Sequence, residues 1–206
     1  MTTKTKQPSP TRREPLRFAD SLTSEFSGKV ALVLGGSSGI GLAAAELLAR
    51  RGAAVVIIGH DKSVIVAKKQ IAAGGQSAGG FQGDAAREEF VRRTIRTITA
   101  KHGRIDILVN SAAIHPIGDI TETDSATWDR TMAVNLRAMY LTCHLAVPGM
   151  IKQGSGAIIN VASVQGTACS KRVCAYATTK GAILAFTRTL AVDLGPKGIR
   201  ANVVSP

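Results

Sequence analysis

Aromatic side chains are scarce in this chain: one tryptophan, two tyrosines and five phenylalanines among 206 residues. Its core must therefore be built from small aliphatic residues and glycine, which suits buried parallel strands and closely packed helices. Three cysteines, Cys143, Cys169 and Cys174, include no C-x-x-C pair and cannot all be bridged within one chain. That excludes a disulfide scaffold and points to reduced thiols in a cytoplasmic protein. The apolar runs, such as 30–34 and 53–58, fall far short of a membrane span. The N-terminus lacks the apolar stretch of a secretory signal. Acids are outnumbered by 26 lysines and arginines to 14, a net charge of +12. The charges are scattered and no nucleic-acid-binding motif appears, so they read as a solvated basic surface. His102 and His144 lack a His/Cys/Asp cluster, so no metal is expected.

What is present is regular. Residues 1–27 form a polar, proline-containing tail with little to bury. From Gly28 to Pro206, strands alternate with helices. Strands are expected at 29–34, 54–58, 80–83, 105–110, 156–162 and 199–204. Helices are expected at 41–51, 61–73, 86–102, 126–150 and 176–194. This alternation predicts one α/β domain over 28–206: a Rossmann-like, doubly wound parallel sheet in three layers, α/β/α. Such sheets bind ligands beyond the carboxyl ends of their strands.

At the end of the first strand stands Gly35-x-x-x-Gly39-x-Gly41, opening the first helix. A glycine turn at a helix N-terminus offers backbone N–H groups and a dipole to an anion and lets a pyrophosphate approach closely. Gly35, Ser37, Ser38, Gly39, Ile40 and Gly41 are therefore expected to hold a dinucleotide. No Lys-Ser/Thr follows, so the turn is not a P-loop. After the second strand, Gly59 stands where an acid would hold a ribose hydroxyl, and His60 stands where a basic residue would meet a 2′-phosphate. Asp61 could swing in. The balance tilts towards NADP(H) over NAD(H). Asp84 reads equally as an acceptor for the adenine amino group, with Ala85 beside it, or as a helix N-cap. Asn110 and Ala112, at the end of the fourth strand, complete the expected cofactor contacts.

Tyr176 and Lys180 are four residues apart, on one helical face. An ordinary phenol, with a pKa near ~10, is a poor proton exchanger at neutral pH. An ammonium ~4 Å away supplies about 4 kcal/mol of phenolate stabilisation at an effective dielectric of ~20. Ser163, at the end of the fifth strand, could hydrogen-bond a carbonyl oxygen, or simply cap a turn. Asn135 reads from spacing alone as a solvent-facing helix residue.

The glycine turn, Asn110-Ser111-Ala112-Ala113, Asn135, Ser163, Tyr176, Lys180 and Asn202-Val203-Val204-Ser205-Pro206 together resemble the short-chain dehydrogenase/reductase family, over nearly the whole chain. The 13-residue step from Ser163 to Tyr176 fits as well. The resemblance implies an oxidoreductase passing a hydride between NAD(P)(H) and a small carbonyl or secondary-alcohol substrate. Ser163, Tyr176 and Lys180 would be its catalytic centre, with Lys180 also bonding the nicotinamide ribose and Asn135 supporting a proton relay. It implies a homodimer or homotetramer pairing helices 126–150 and 176–194. The chain departs from the pattern at Leu34, Ser38, Ser111 and Ala113. It also stops where the family continues, so a C-terminally truncated form is expected, with 199–204 an exposed edge strand. A non-catalytic nucleotide-binding module is the alternative reading.

Overall fold

A computed structural model describes residues 24–73 and 77–206; most of the tail and the Gly74-Gly75 turn lie outside them. The elements run β1 (Val30–Leu34), α1 (Gly39–Arg50), β2 (Ala54–Gly59), α2 (Ser63–Ala72), β3 (Ala78–Gln82) and α3 (Glu88–His102). There follow β4 (Ile107–Asn110), α4 (Ser125–Met132), α5 (Ala138–Gln153), β5 (Gly156–Val161), α6 (Cys174–Leu194) and β6 (Ile199–Val204). All neighbouring strands pair in parallel, in the order β3-β2-β1-β4-β5-β6. Each expected strand is found, and each expected helix but that at 126–150, with ends shifted by a few residues.

The centre of the sheet is buried on both faces because β1 and β2 carry no polar residue. Along β1, Val30, Leu32 and Leu34 face α3 and α5, whose Val91, Ile95, Leu141 and Met150 complete that layer. Ala31 and Val33 face the other way, onto Ala45 and Ala49 of α1 and Val64, Ala67 and Ile71 of α2. The alanines of α1 let the helix lie close to the sheet, where larger residues would hold it off. At ~25 cal/mol per Å² of apolar area, these two aliphatic layers are the main source of stability. β6 lies at an edge, as expected, and alternates: Ile199 and Ala201 are buried, Arg200, Asn202 and Val204 exposed.

The one long helix expected at 126–150 is in fact three segments. Between α4 and α5, residues Ala133–Arg137 adopt a π-helical turn. Asn135 sits at its centre and is fully buried, not solvent-facing. Wide turns of this kind concentrate at functional sites. No helix among the described residues is long and apolar enough to cross a membrane.

Candidate active site

The carboxyl ends of β1, β2, β4 and β5 border a cleft of about 770 Å³, in the size range of small-molecule sites. One wall is the glycine turn. Gly35 takes a φ of +77°, and a Cβ there would come within 2.6 Å of the Ala112 nitrogen. Gly39 takes a φ of +53° to enter α1. A Cβ on Gly41 would overlap the Gly35 carbonyl oxygen. Only glycine allows the turn to fold this tightly. Ser37, Ser38, Gly39 and Ile40 line the cleft, while Gly41 is buried beneath the turn. Ser38, the N-cap of α1, makes no side-chain capping bond, and the first turn carries no acid. Its N–H groups and dipole thus meet no competing negative charge and fit a dinucleotide's diphosphate.

Towards β2 the wall holds Gly59, His60 and Asp61. A Cβ on Gly59 would lie 2.5 Å from Val64 Cγ2 and 2.7 Å from Ser37 Oγ, so a larger side chain there would have to displace both. Asp61 accepts the Ser63 N–H at 2.8 Å at the start of α2. Bonds from the Ser63 side chain and backbone hold its carboxyl below the ordinary range. Asp84 and Ala85 also line the cleft. Asp84 is not the cap of α3, which begins with Arg87 in that place. It caps the preceding turn through Ala86 N–H at 3.0 Å and pairs with Arg130 at 2.9 Å. Partial burial opposes its ionisation, but these two bonds and the Arg130 charge hold its carboxyl below the usual value.

The other end of the cleft gathers Ser163, Tyr176 and Lys180. Ser163 follows β5 and is buried; its Oγ accepts the Gln165 N–H at 3.3 Å, so the capping reading holds alongside exposure to the cleft. The turn after it packs on α6 so closely that a Cβ on Gly166 would fall 2.9 Å from the Lys180 carbonyl carbon. That contact fixes Ser163 relative to the helix bearing Tyr176. Lys180 is 2% exposed, donates to the Val161 carbonyl at 2.8 Å and places Nζ 5.4 Å from the Tyr176 ring centre. Burial lowers its pKa to about 8. With one of three ammonium donors used, two remain for other partners.

Asn135 does not line the cleft. Its Oδ1 accepts the Ile114 N–H at 2.7 Å, and its Nδ2 donates to the Ile114 carbonyl at 2.9 Å and to Thr179 Oγ1 at 3.1 Å. It thus braces the loop after β4 against the residue preceding Lys180. Asn110 is not part of the cleft wall either, and its side chain is buried. It belongs to a buried chain: Thr142 donates to Asn110 at 2.6 Å, Asn110 to Asn160 at 2.9 Å, and Asn160 to Thr187 at 3.0 Å. These bonds tie α5, β4, β5 and α6 together. Ala112 does line the cleft. Cys143 also touches Asn110, and burial pushes its thiol up to about 12. Among the described residues no cluster could hold a metal.

Three residues at the site escaped sequence reasoning. Arg130 lines the cleft through its pairing with Asp84, and Asn160 anchors the buried chain. His115 lies against Tyr176, ring centres 4.0 Å apart. None belongs to a motif, and each partner is remote in sequence.

A profile of the short-chain dehydrogenases matches residues 29–206. An uncharacterized oxidoreductase of Thermotoga maritima is 44% identical over 185 residues, covering 88% of this chain and 72% of that protein. The crystal structure of an NAD+-bound xylitol dehydrogenase superposes with a TM-score of 0.86 at 33% identity, over 89% of this chain and 71% of that one. A metagenomic short-chain oxidoreductase in complex with NADP superposes with a TM-score of 0.85 at 33% identity, over 89% and 84%. The chain therefore belongs to the short-chain dehydrogenase/reductase family of NAD(P)-dependent oxidoreductases.

Proposed function

We propose that the protein interconverts a small carbonyl compound and its secondary alcohol, with Tyr176 as the proton-exchanging group. The observation that carries this reading is the convergence of Ser163, Tyr176 and a buried Lys180 at one end of a cleft whose other end is the glycine turn. NAD(P)(H), when bound, supplies or accepts the hydride. Ser163 hydrogen-bonds the substrate oxygen and holds it beside Tyr176. Tyr176 gives its proton to that oxygen on reduction and takes one back on oxidation. Lys180, held at 2.8 Å from the Val161 carbonyl, presents its charge to the phenol and its remaining donors to the cofactor ribose. Asn135 supports the relay by fixing the backbone of Ile114 and the Thr179 hydroxyl next to Lys180.

NADP(H) is the favoured cofactor in this reading. Gly59 offers no acid to a ribose hydroxyl, Asp61 is engaged with Ser63, and exposed His60 remains at the cleft wall to meet a 2′-phosphate. The oligomer is a homodimer or homotetramer built on α4, α5 and α6. An apolar groove lined by Met132, Leu136, Tyr140, Ala182 and Phe186 lies on that face.

Fluorescence titration with NADPH and NADH, followed by a panel of alcohols, tests the reading. Relatives named for D-beta-hydroxybutyrate and D-threitol, and the structural neighbour named for xylitol, supply the first probes. Tighter binding of NADPH and turnover of at least one alcohol are expected. Cofactor binding with no turnover of any would favour the non-catalytic module instead.

A further inference from the structure

The segment between β4 and α4 is irregular, yet it is pinned at two points. Asn135 holds both backbone groups of Ile114. Further on, Gly118 forms a parallel bridge with Val173 just before α6. Its N–H donates to the Arg172 carbonyl at 2.9 Å, and its carbonyl accepts the Cys174 N–H at 3.2 Å. Arg172 reaches this geometry at a φ of +60°, a strained value for a side chain of its size, and its guanidinium pairs with Glu122 at 2.9 Å. Between the two pins lie only His115, Pro116 and Ile117, and proline stiffens that span further.

This strap places the His115 imidazole 4.0 Å from the Tyr176 ring, centre to centre, with the planes inclined at 41°. His115 is exposed, so its location is not explained by burial of apolar surface. It is also outside the wall of the cofactor cleft, although its neighbour Ile114 is part of that wall. Tyr176 is only half-buried, and a group that exchanges protons must be held to a fraction of an ångström. A flat ring on a doubly anchored loop, packed against the phenol, supplies that restraint.

We infer that His115 is a positioning residue for Tyr176, held against the phenol ring by the Gly118–Val173 strap. The inference rests on the acid/base reading of Tyr176. The restraint acts through ring packing, so another flat aromatic side chain preserves it and a methyl group does not. It acts on turnover and leaves cofactor binding alone.

Two measurements on the full chain test this. The protein has two tyrosines, Tyr140 and Tyr176, so 3-fluorotyrosine labelling gives two fluorine resonances, assigned by Tyr176→Phe. His115→Ala is expected to shift the Tyr176 resonance, and His115→Phe to keep it ordered. In steady-state assays with NADP+ or NAD+ and the fastest alcohol of the panel, His115→Ala is expected to lower kcat ~10-fold, equivalent to ~1.4 kcal/mol of barrier. Cofactor KM should stay within about twofold and His115→Phe should recover most of kcat. An unmoved Tyr176 resonance, a kcat within twofold of wild type, or a rise in KM alone would overturn the inference. If His115→Ala proves poorly folded, His115→Phe carries the test, and a folded Phe variant with low kcat also overturns it. Tyr176→Phe separates the two levels. Retained turnover in that variant defeats the acid/base reading and the inference with it, whereas a dead Tyr176→Phe beside an unaffected His115→Ala defeats the inference alone.

Discussion

Lys180 donates from Nζ to the carbonyl oxygen of Val161 at 2.8 Å, tying an almost fully buried ammonium on α6 to the end of β5 just before Ser163. A main-chain dipole is a weak counterpart for a full charge, so burial dominates and brings the pKa from 10.5 down to about 8.

That depression has a consequence for stability. Unfolded, the lysine keeps its proton up to about 10.5; folded, it loses the proton near 8. Below pH 8 both states are protonated and the burial cost, about 3 kcal/mol, is felt in full. Between the two values the unfolded chain binds more protons, so stability rises with pH. Urea unfolding of the wild type and of Lys180→Met should therefore diverge in the wild type's favour by about 3 kcal/mol from pH 7.5 to 10.5. A difference that stays flat with pH would contradict the burial of a charged lysine.

Asp106 shows the opposite sign at the far end of the sheet. Its burial opposes ionisation, but Arg104 through paired bonds, the Val30 N–H at 3.0 Å and Lys29 at 3.5 Å outweigh that and lower its pKa. Stability from this group is present above the ordinary carboxylate pKa and is lost as pH falls through the lower folded value. Asp106→Asn should cost about 2 kcal/mol at pH 7, lowering Tm by about 5 °C. Calorimetry at pH 7 checks it, and an unchanged Tm would refute the assignment.

The same substitution at two buried threonines should act with opposite signs. Thr94 Oγ1 is buried and has no hydrogen-bond partner among the described residues. Thr94→Val should stabilise by about 1 kcal/mol, since it removes an unsatisfied hydroxyl. Thr142 donates to Asn110 at 2.6 Å, so Thr142→Val should destabilise by about 1–3 kcal/mol by stripping a partner from the buried chain. Denaturant midpoints shifting in the same direction for both would contradict this account.

The alternation of strands and helices was legible because it rests on local patterns. The glycine turn was legible too, as spacing and placement together specify an anion-binding turn. Tyr176 and Lys180 were legible because helical periodicity alone puts them on one face. The contacts that were not legible depend on distant partners. Asn135 looked solvent-facing because nothing local announces a π-helical turn, and the backbone it braces lies 21 residues away. Asn110 was expected among the cofactor contacts by its place at a strand end; nothing local announced that its side chain joins a polar chain completed by Thr142, Asn160 and Thr187. Asp84 read equally as an adenine acceptor or a helix cap, and its pairing with Arg130, which spans 46 residues, left no local sign.

The central claim is that the Tyr176 hydroxyl exchanges the proton while the glycine turn holds the cofactor independently of it. Substituting phenylalanine removes one oxygen from a half-buried ring and leaves the turn untouched. Measured side by side, Tyr176→Phe should bind NADPH or NADH within about twofold of wild type and lose at least ~10³-fold in kcat. Turnover that survives the substitution, or cofactor affinity that collapses with it, would contradict the account.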